Sequence, residues 1–264
     1  MEPTLVAPDV AVVYGDTTPP GPDEAYAMLR DLVRQTIERG GKVIIPAFAV
    51  GRTQELVYNF NRMISAGEIP AVPVFVDSPM AVNATSVFQE HPELFDKETQ
   101  EFIREGRHPA LNFKGLNYVR SVEESKAINY MDQPAIVISA SGMLQNRRIL
   151  HHLRHNISDP RNTILIVGWQ APDTLGRNLI NGVKEATIYG DRYEVEAQVV
   201  QISGFSAHAG QDMLMRYALA SKNTLRKVIL VQAEAQVAGT FAQSLKDAGV
   251  PEVEFPDLYQ AVEI

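Results

Sequence analysis

Histidines are the side chains of this sequence best suited to metal binding or proton transfer, and three of the six lie close together. Residues 147–161, RRILHHLRHNISDPR, contain four arginines and three histidines against one acid. Within this segment His151 and His155 have the i, i+4 spacing of a helical metal-ligand pair. Because the predicted helix itself holds no carboxylate, a solvated or phosphate-facing helix is favoured over a metal site.

His208 is a separate case, since it stands alone in the turn GFSAHAG, residues 204–210, after an apolar segment. Zinc is held by three or four imidazole, thiolate or carboxylate ligands, so one histidine does not make a site. His91 and His108 lie in polar loop contexts and do not add to it. His208 is therefore either a structural side chain or the remnant of a larger site.

Composition limits the function classes. The formal net charge is −8, which argues against coating of a nucleic acid by a broad cationic surface but leaves room for a local basic channel. Cysteine is absent, which excludes disulfides and thiolate metal sites and fits a reducing cytoplasm. No apolar run is long enough to span a bilayer, and the opening MEPTLVAPDV lacks a signal-peptide pattern. We expect a cytoplasmic protein without a membrane partner.

Helix and strand patterns alternate along most of the chain, as in βαβ units. The predicted helices cover 22–39, 51–67, 81–91, 142–156, 208–221 and 237–249, and the predicted strands cover 42–48, 72–78, 134–141, 162–169 and 227–234. Alternating residues around GDR in 184–205 indicate an antiparallel element, and 96–121 is expected to be irregular. The pattern predicts an α/β fold with a mostly parallel sheet covered by helices on both faces.

Loops at the carboxyl ends of parallel strands are where ligands bind in such sheets. Ser139, Ser141 and Gly142 follow one predicted strand in SASGM, where they are either phosphate-binding groups or a simple helix cap. Arg52 and Arg177 each follow a glycine in other strand-end loops, and each is either a phosphate ligand or a structural side chain. Taken singly, these loops do not decide between the two interpretations.

Taken together and in order, the motifs resemble the β-CASP branch of the metallo-β-lactamase superfamily. The matching segments are GGKVIIPAFAVGRTQEL, VFVDSPMAVNAT, AIVISASGML, ILHHLRHNISDPRNTILIVGWQAPDTLGR and GFSAHAG. The resemblance implies a β-CASP domain over 15–200, inserted into a metallo-β-lactamase αββα fold. It assigns 1–14 to the strand that leads into the insertion and 201–264 to the C-terminal metallo-β-lactamase segment.

Members of this family use two zinc ions to hydrolyse RNA, and the resemblance carries over a phosphate site. His208 takes the position of a catalytic-site histidine, here vestigial. The residues expected to line the phosphate and RNA site are Ser139, Ser141, Gly142, Ser206, Ala207, His208 and Ala209, together with Arg52 and Arg177. We expect RNA binding there to be weak and sensitive to salt.

The sequence departs from the family at the metal site. The zinc-binding motif HxHxDH does not occur in these 264 residues. Ala11 and Val12 stand where the family has Glu and Ser, Gly210 replaces an aspartate, and Gln232 replaces the late histidine of VHGE. The resemblance therefore implies zinc in the intact family but no metal or other cofactor in this chain.

Four functional hypotheses follow. The first is a catalytically inactive RNA-binding form, and the second is a structural subunit that heterodimerises with an active β-CASP nuclease. The third is a nuclease whose other half is supplied by a second polypeptide, and the fourth is an engineered or excised domain. Loss of the first lactamase half should expose an apolar face, which a homodimer or heterodimer would cover.

Overall fold

The computed structural model describes residues 10–14, 21–104, 110–205 and 209–262. The chain divides into two compact units, the first within 20–205 and the second combining the N-terminal strand with 206–264. No helix in the described ranges is both long and apolar enough to cross a membrane.

The described strands and helices alternate as the sequence predicts. The strands are β1 Val10–Tyr14, β2 Val43–Pro46, β3 Val74–Asp77, β4 Leu116–Val119, β5 Ile136–Ser139, β6 Thr163–Ile166, β7 Glu185–Ile188, β8 Asp191–Glu194, β9 Gln198–Gln201, β10 Lys227–Val231 and β11 Glu252–Glu254. The helices are α1 Pro22–Glu38, α2 Arg52–Ser65, α3 Pro79–Glu90, α4 Lys97–Arg104, α5 Val122–Asn129, α6 Arg148–Asn156, α7 Leu175–Ile180, α8 Gln211–Leu219 and α9 Ala235–Asp247, with a 3₁₀ turn at Pro92–Leu94.

The first unit is built on a six-stranded sheet in the order β4-β3-β5-β2-β6-β9. Every strand pair in it is parallel. All residues of β2, β5 and β6 are buried, as expected for strands covered on both faces. The predicted α/β class with a mostly parallel sheet is confirmed.

Two hydrophobic cores lie on the two faces of this sheet. Successive side chains of a strand point to opposite faces, so Val43 and Ile45 pack in one core and Ile44 in the other. Helices α1 and α2 contribute to the core of Val43 and Ile45. Helices α6 and α7 contribute to the core of Ile44, which also receives Ala186 and Ile188 from β7. The sheet thus fixes which side each helix covers.

Two predictions on local structure need correction. Helix α6 begins at Arg148 rather than at residue 142, because Leu144 (φ 55°) and Arg147 (φ 71°) have left-handed backbone conformations that a helix does not accommodate. The segment 96–121 is not irregular throughout, since it contains α4 and β4; β4 is held by its parallel pairing with β3. The antiparallel element is confirmed as the β7–β8 hairpin, whereas β9 joins the parallel sheet beside β6.

The second unit contains a parallel three-stranded sheet in the order β1-β10-β11. Val228 and Leu230 of β10 pack into a core with Phe241 and other residues of α8 and α9. The side chain of Lys227 points away from Val228 by strand alternation and pairs with Glu252 and Glu254 of β11, at 2.9 and 3.0 Å from its Nζ. The domain boundaries at 14/15 and 200/201, and the apolar face covered by a dimer, stay predictions.

Candidate functional site

The carboxyl edge of the six-stranded sheet collects the loops that the sequence singles out. Because β2, β3, β5, β6 and β9 run parallel, the segments that follow them leave the sheet on one side. The DSPMA, SASGM and GWQ segments start at this edge, after β3, β5 and β6 respectively.

Asp77, the last residue of β3, lies at the centre of a buried polar cluster. Its carboxylate is fully buried and accepts hydrogen bonds from Ser125 Oγ at 2.5 Å and Arg148 Nη1 at 2.6 Å. His152 Nε2 lies 2.6 Å from the second carboxylate oxygen, and its ring is also fully buried. Three side chains from α5 and α6 thus converge on one acid at the end of β3.

The cluster holds Asp77 in its ionised form. Burial by itself raises the pKa of this carboxyl, but hydrogen bonds from His152, Ser125 and Arg148 and the electrostatic effect of His152 outweigh burial. The net result is a pKa below the ordinary value for aspartate. Each oxygen of the acid has a donor, as a buried charge requires.

Further hydrogen bonds extend the cluster to neighbouring elements. His152 Nδ1 lies 2.8 Å from Asn129 Oδ1, at the end of α5. Arg148 Nη2 donates to the carbonyl oxygen of Arg120 at 2.7 Å. Ser139 Oγ donates to the main-chain oxygen of Asp77 at 2.9 Å, which links β5 to β3. The cluster therefore links β3, β5, α5 and α6 by hydrogen bonds at the carboxyl edge of the sheet.

Sequence reasoning missed this cluster. It placed His152 on a solvated or phosphate-facing helix and found no acid near it; this is wrong for His152, because Asp77 reaches it from a strand far away in the sequence. A signal was present in the helical pattern: His152 follows Ile149 by three positions and therefore lies on the buried face of α6. His151 and His155 are exposed, as predicted.

The SASGM loop begins at Ser139 and contains three of the predicted site residues. Ser139 is buried, and its hydroxyl is already engaged with Asp77. The Ser141 Oγ is buried and has no hydrogen-bond partner among the described residues. The carbonyl of Gly142 accepts from Gln170 Nε2 at 2.9 Å, and a Cβ atom on Gly142 would lie 3.4 Å from the ring of Phe48. Ser141 and Gly142 thus remain the groups of this loop best suited to a ligand.

Arg52 and Arg177 are both engaged within the protein. Arg52 Nη1 forms an ion pair with Glu55 one helical turn away. Arg177 donates from Nε and Nη2 to the carbonyl oxygen of Gln170, at 2.8 and 2.5 Å. The Arg177 guanidinium also lies 5.6 Å from the centroid of the Trp169 ring, within the range of a cation–π contact. Their predicted role in RNA binding stays a prediction.

Two aromatic rings at this edge were not predicted as site residues. Phe48 follows β2 and is 56% exposed, and Trp169 follows β6 and is 51% exposed. Gly142 adjoins both loops, since a Cβ atom on it would lie 3.4 Å from the Phe48 ring and its carbonyl oxygen accepts a hydrogen bond from Gln170, the neighbour of Trp169 in the chain. A single tryptophan at the end of the predicted strand 162–169 was the available signal in the sequence.

The remaining predicted site residues are in the other unit or outside the described ranges. Ser206, Ala207 and His208 lie outside the described residues. Ala209 is partly buried and packs against the core of the second unit. Gln232, at the position of the late histidine, is exposed and has a left-handed backbone conformation with φ 56°. Within the described ranges, no three or more His, Cys, Asp or Glu side chains form a group that could hold a metal ion.

Comparison with known proteins gives two matching domain families. A Beta-Casp domain matches residues 53–179, and a Zn-dependent metallo-hydrolase RNA specificity domain matches residues 192–254. The first match covers strands β3 to β6 and the Asp77 cluster, and the second extends from β8 to the end of β11.

Several characterised proteins are similar to this chain. Ribonuclease TTHA0252 of Thermus thermophilus is 36% identical over 223 residues, which are 84% of this chain and 50% of the relative. Transcription termination factor FttA of Methanocaldococcus jannaschii is 33% identical over 249 residues, 92% of this chain and 39% of the relative. An RNase J-like protein of the same organism is 32% identical over 213 residues, 81% of this chain and 48% of the relative. The chain therefore spans half or less of the length of these relatives.

Proposed function

From the premise that this chain belongs to the β-CASP family of metallo-β-lactamase-fold RNA nucleases, we propose that the 264 residues bind RNA without hydrolysing it. The binding site in this proposal is the carboxyl edge of the six-stranded sheet. The names of the similar proteins, a ribonuclease and a transcription termination factor, support RNA as the ligand class.

The observation that carries the proposal is the pair of half-exposed rings in the two loops that adjoin Gly142. Phe48 and Trp169 present aromatic faces at the edge where the strand-end loops collect. Stacking of a base on an aromatic side chain is worth roughly 1–3 kcal/mol and does not depend on base identity. Ser141 precedes Gly142 in the chain, and its buried hydroxyl has no hydrogen-bond partner among the described residues, which a phosphate oxygen would supply. Stacking and phosphate contact together describe a single-stranded nucleic acid.

The residues present do not fit the two zinc ions of the family. HxHxDH is missing from these 264 residues, and alanine at position 11 offers no donor atom. Gln232 presents a neutral amide where the family has an imidazole, which is a poor zinc ligand. Of the family's site histidines, the sequence retains one imidazole, His208, and a single imidazole does not make a zinc site. We therefore propose no hydrolytic step for this chain.

The single tryptophan makes the proposal directly testable. Titration with a four-nucleotide RNA should quench the fluorescence of Trp169, since a base stacked on the indole ring changes its surroundings. Replacement Phe48→Ala should weaken this binding by about tenfold, because it removes one stacking contact between a base and an aromatic ring. The control is Arg34→Ala, on the exposed side of α1, which should leave the affinity for RNA unchanged.

Two further measurements separate the alternatives. Incubation of the chain with labelled RNA and Zn²⁺ or Mn²⁺ should give no cleavage product, and metal analysis should find less than one ion per chain. Robust cleavage would overturn the inactive assignment. An unchanged Trp169 spectrum at saturating RNA would overturn binding at the sheet edge. A stable complex with a β-CASP nuclease, without RNA binding, would favour the structural-subunit hypothesis instead.

A further inference from the structure

A second group of rings and cations lies along α6, outside the sheet-edge site. We name it the α6 patch. It consists of Lys126, Tyr130, His151, Arg154, His155 and Tyr189. These residues come from α5, from the exposed face of α6 and from the turn of the β7–β8 hairpin. All six are exposed in a protein whose formal net charge is −8.

The rings of the patch are held in pairs. His151 lies against Tyr189 with ring centroids 4.8 Å apart and an interplanar angle of 36°. His155 meets Tyr130 edge-on at 5.7 Å. Tyr189 is still 53% exposed and Tyr130 75% exposed, so each pair leaves an aromatic face in solvent. Two stacking surfaces therefore flank the exposed side of α6.

The two cations of the patch are not ion-paired within the described part of the chain. Neither Arg154 nor Lys126 forms an ion pair or a side-chain hydrogen bond with the described residues. Burial, and next the positive charge of Arg154, hold the pKa of both His151 and His155 below the usual value for histidine. Arg154 thus lies close to both imidazoles, and its guanidinium is available to an external anion.

A recess with charges of both signs lies at one end of the patch. His155, Asp132 and Asp159 line it together with Lys42 and Arg161, and Arg161 pairs with Asp159 at 2.7 Å. At the other end, α6 begins after the SASGM loop of the sheet-edge site. A polyanion on the patch would therefore run from the sheet edge along α6 toward this recess.

The backbone around the hairpin turn is shaped to place Tyr189. Tyr189 has φ 54° and Arg147 has φ 71°, both left-handed conformations that side chains with a Cβ atom disfavour. Tyr189 Oη donates to the carbonyl oxygen of Arg147 at 3.3 Å, which joins the two positions. Such outliers mark places where the surrounding structure imposes a conformation, and they are frequent at ligand-binding positions.

We infer that the α6 patch is a second contact site for single-stranded RNA, continuous with the sheet edge. The inference rests on the proposed RNA-binding function and adds a stretch of nucleotides to it. Arg154 and Lys126 match the phosphates, and the faces of Tyr189 and Tyr130 match unpaired bases. A duplex would hide those base faces, so the ligand is a single strand. An acidic protein segment would use the cations but not the rings.

The test compares RNAs of 4 and 16 nucleotides with labelled-RNA anisotropy, alongside Trp169 fluorescence. Arg154→Ala should weaken 16-nucleotide binding severalfold and reduce the salt slope of log K by about 0.7, the value for one phosphate of a single strand. Tyr189→Ala should weaken it by about tenfold, and Tyr189→Phe should restore it because the ring is retained. Binding of the 4-nucleotide RNA should be unchanged in all three variants, and Arg34→Ala should resemble the parent.

The outcomes distinguish this inference from the proposed function. If the patch variants bind 16 nucleotides as tightly as the parent while Phe48→Ala does not, the patch inference is overturned and the sheet-edge site stands. If the patch variants lose binding while Phe48→Ala and Trp169 fluorescence are unaffected, the sheet-edge site is overturned. Equal loss for Tyr189→Phe and Tyr189→Ala would overturn base stacking. Absence of binding to either RNA would overturn both.

Discussion

His152 Nε2 lies 2.6 Å from a carboxylate oxygen of Asp77, and neither side chain is exposed to solvent. The two residues come from α6 and from the end of β3, elements that are far apart in the sequence. Their contact joins α6, which packs in the core on one face of the sheet, to β3, which also borders the core on the other face. The pair therefore holds α6 and β3 together at the carboxyl edge of the sheet and does not serve as part of a metal site.

Replacement Asp77→Ala should lower the free energy of unfolding of the six-stranded unit by about 3–5 kcal/mol. The change leaves the buried His152 and the partly buried Arg148 without their acid, which is the costly way to disrupt a buried polar cluster. Urea denaturation followed by Trp169 fluorescence measures it, since Trp169 belongs to this unit.

The matched control for Asp77→Ala is Asp31→Ala. Asp31 also pairs with an arginine, Arg30, but on the exposed surface of α1. Its removal should leave the urea midpoint essentially unchanged, because water replaces the partner. Equal effects of the two replacements would contradict the role of the Asp77 cluster.

Stability should also fall at acidic pH because of Asp77. Its pKa in the folded protein is lowered below the unfolded value of about 3.9. A lowered pKa contributes stability above the unfolded value, and this contribution is lost as the pH falls through the folded value. Urea midpoints measured from pH 7 to pH 2.5 should show the loss below about pH 4. Asp77→Asn should have a flatter acid limb; an equally steep one would assign the effect to other carboxyls.

Gly41→Ala should destabilise the same unit strongly, by about 3 kcal/mol or more, as overpacking against rigid backbone does. A Cβ atom at Gly41 would lie 1.8 Å from the carbonyl oxygen of Arg161, so the β2 and β6 connections would have to move apart. Gly168→Ala is the control, because a Cβ atom there meets nothing within 4 Å. Thermal unfolding of the two variants compares them, and a similar midpoint for both would refute the close approach.

Gln232→His should not restore zinc binding to this chain. The left-handed φ of 56° at this position accommodates histidine, so the variant should fold. Its imidazole would still lack the other ligands, since HxHxDH does not occur in the sequence. Metal analysis after dialysis against Zn²⁺ should find far less than one ion per chain. One tightly bound ion per chain would show that a ligand set is present after all.

The sheet was predictable because its strands are short apolar runs separated by helices with clear apolar stripes. β2, β5 and β6 lie within the predicted segments 42–48, 134–141 and 162–169. The start of α6 was not predictable, because the residues of 142–147 have acceptable helix propensity and the left-handed turns at Leu144 and Arg147 are imposed by the surrounding structure. β4 was not predicted for a similar reason, since its strand conformation is determined by pairing with β3.

The strand-end loops of the candidate site were predictable from their composition, but the partners of their side chains were not. Ser139 reads as a phosphate ligand in the sequence, yet its hydroxyl bonds to the main chain of Asp77. The Asp77–His152 contact depends on strand order, and strand order cannot be predicted from a local pattern of residues. The exposed rings of Phe48 and Trp169 were not predicted as site residues, because an apolar residue next to a buried strand is ordinarily assigned to the hydrophobic core.

The pairing of β1 with β10 has a consequence for the order of folding. Val10 lies beside Lys227 in this register, so the three-stranded sheet closes a loop that contains the whole six-stranded unit. Closure of a long flexible loop is entropically unfavourable, and the cost is smaller once the intervening chain is already compact. The six-stranded unit, whose strands and helices alternate locally, is therefore the natural first part to fold. The N-terminal strand is synthesised first but reaches its partner last.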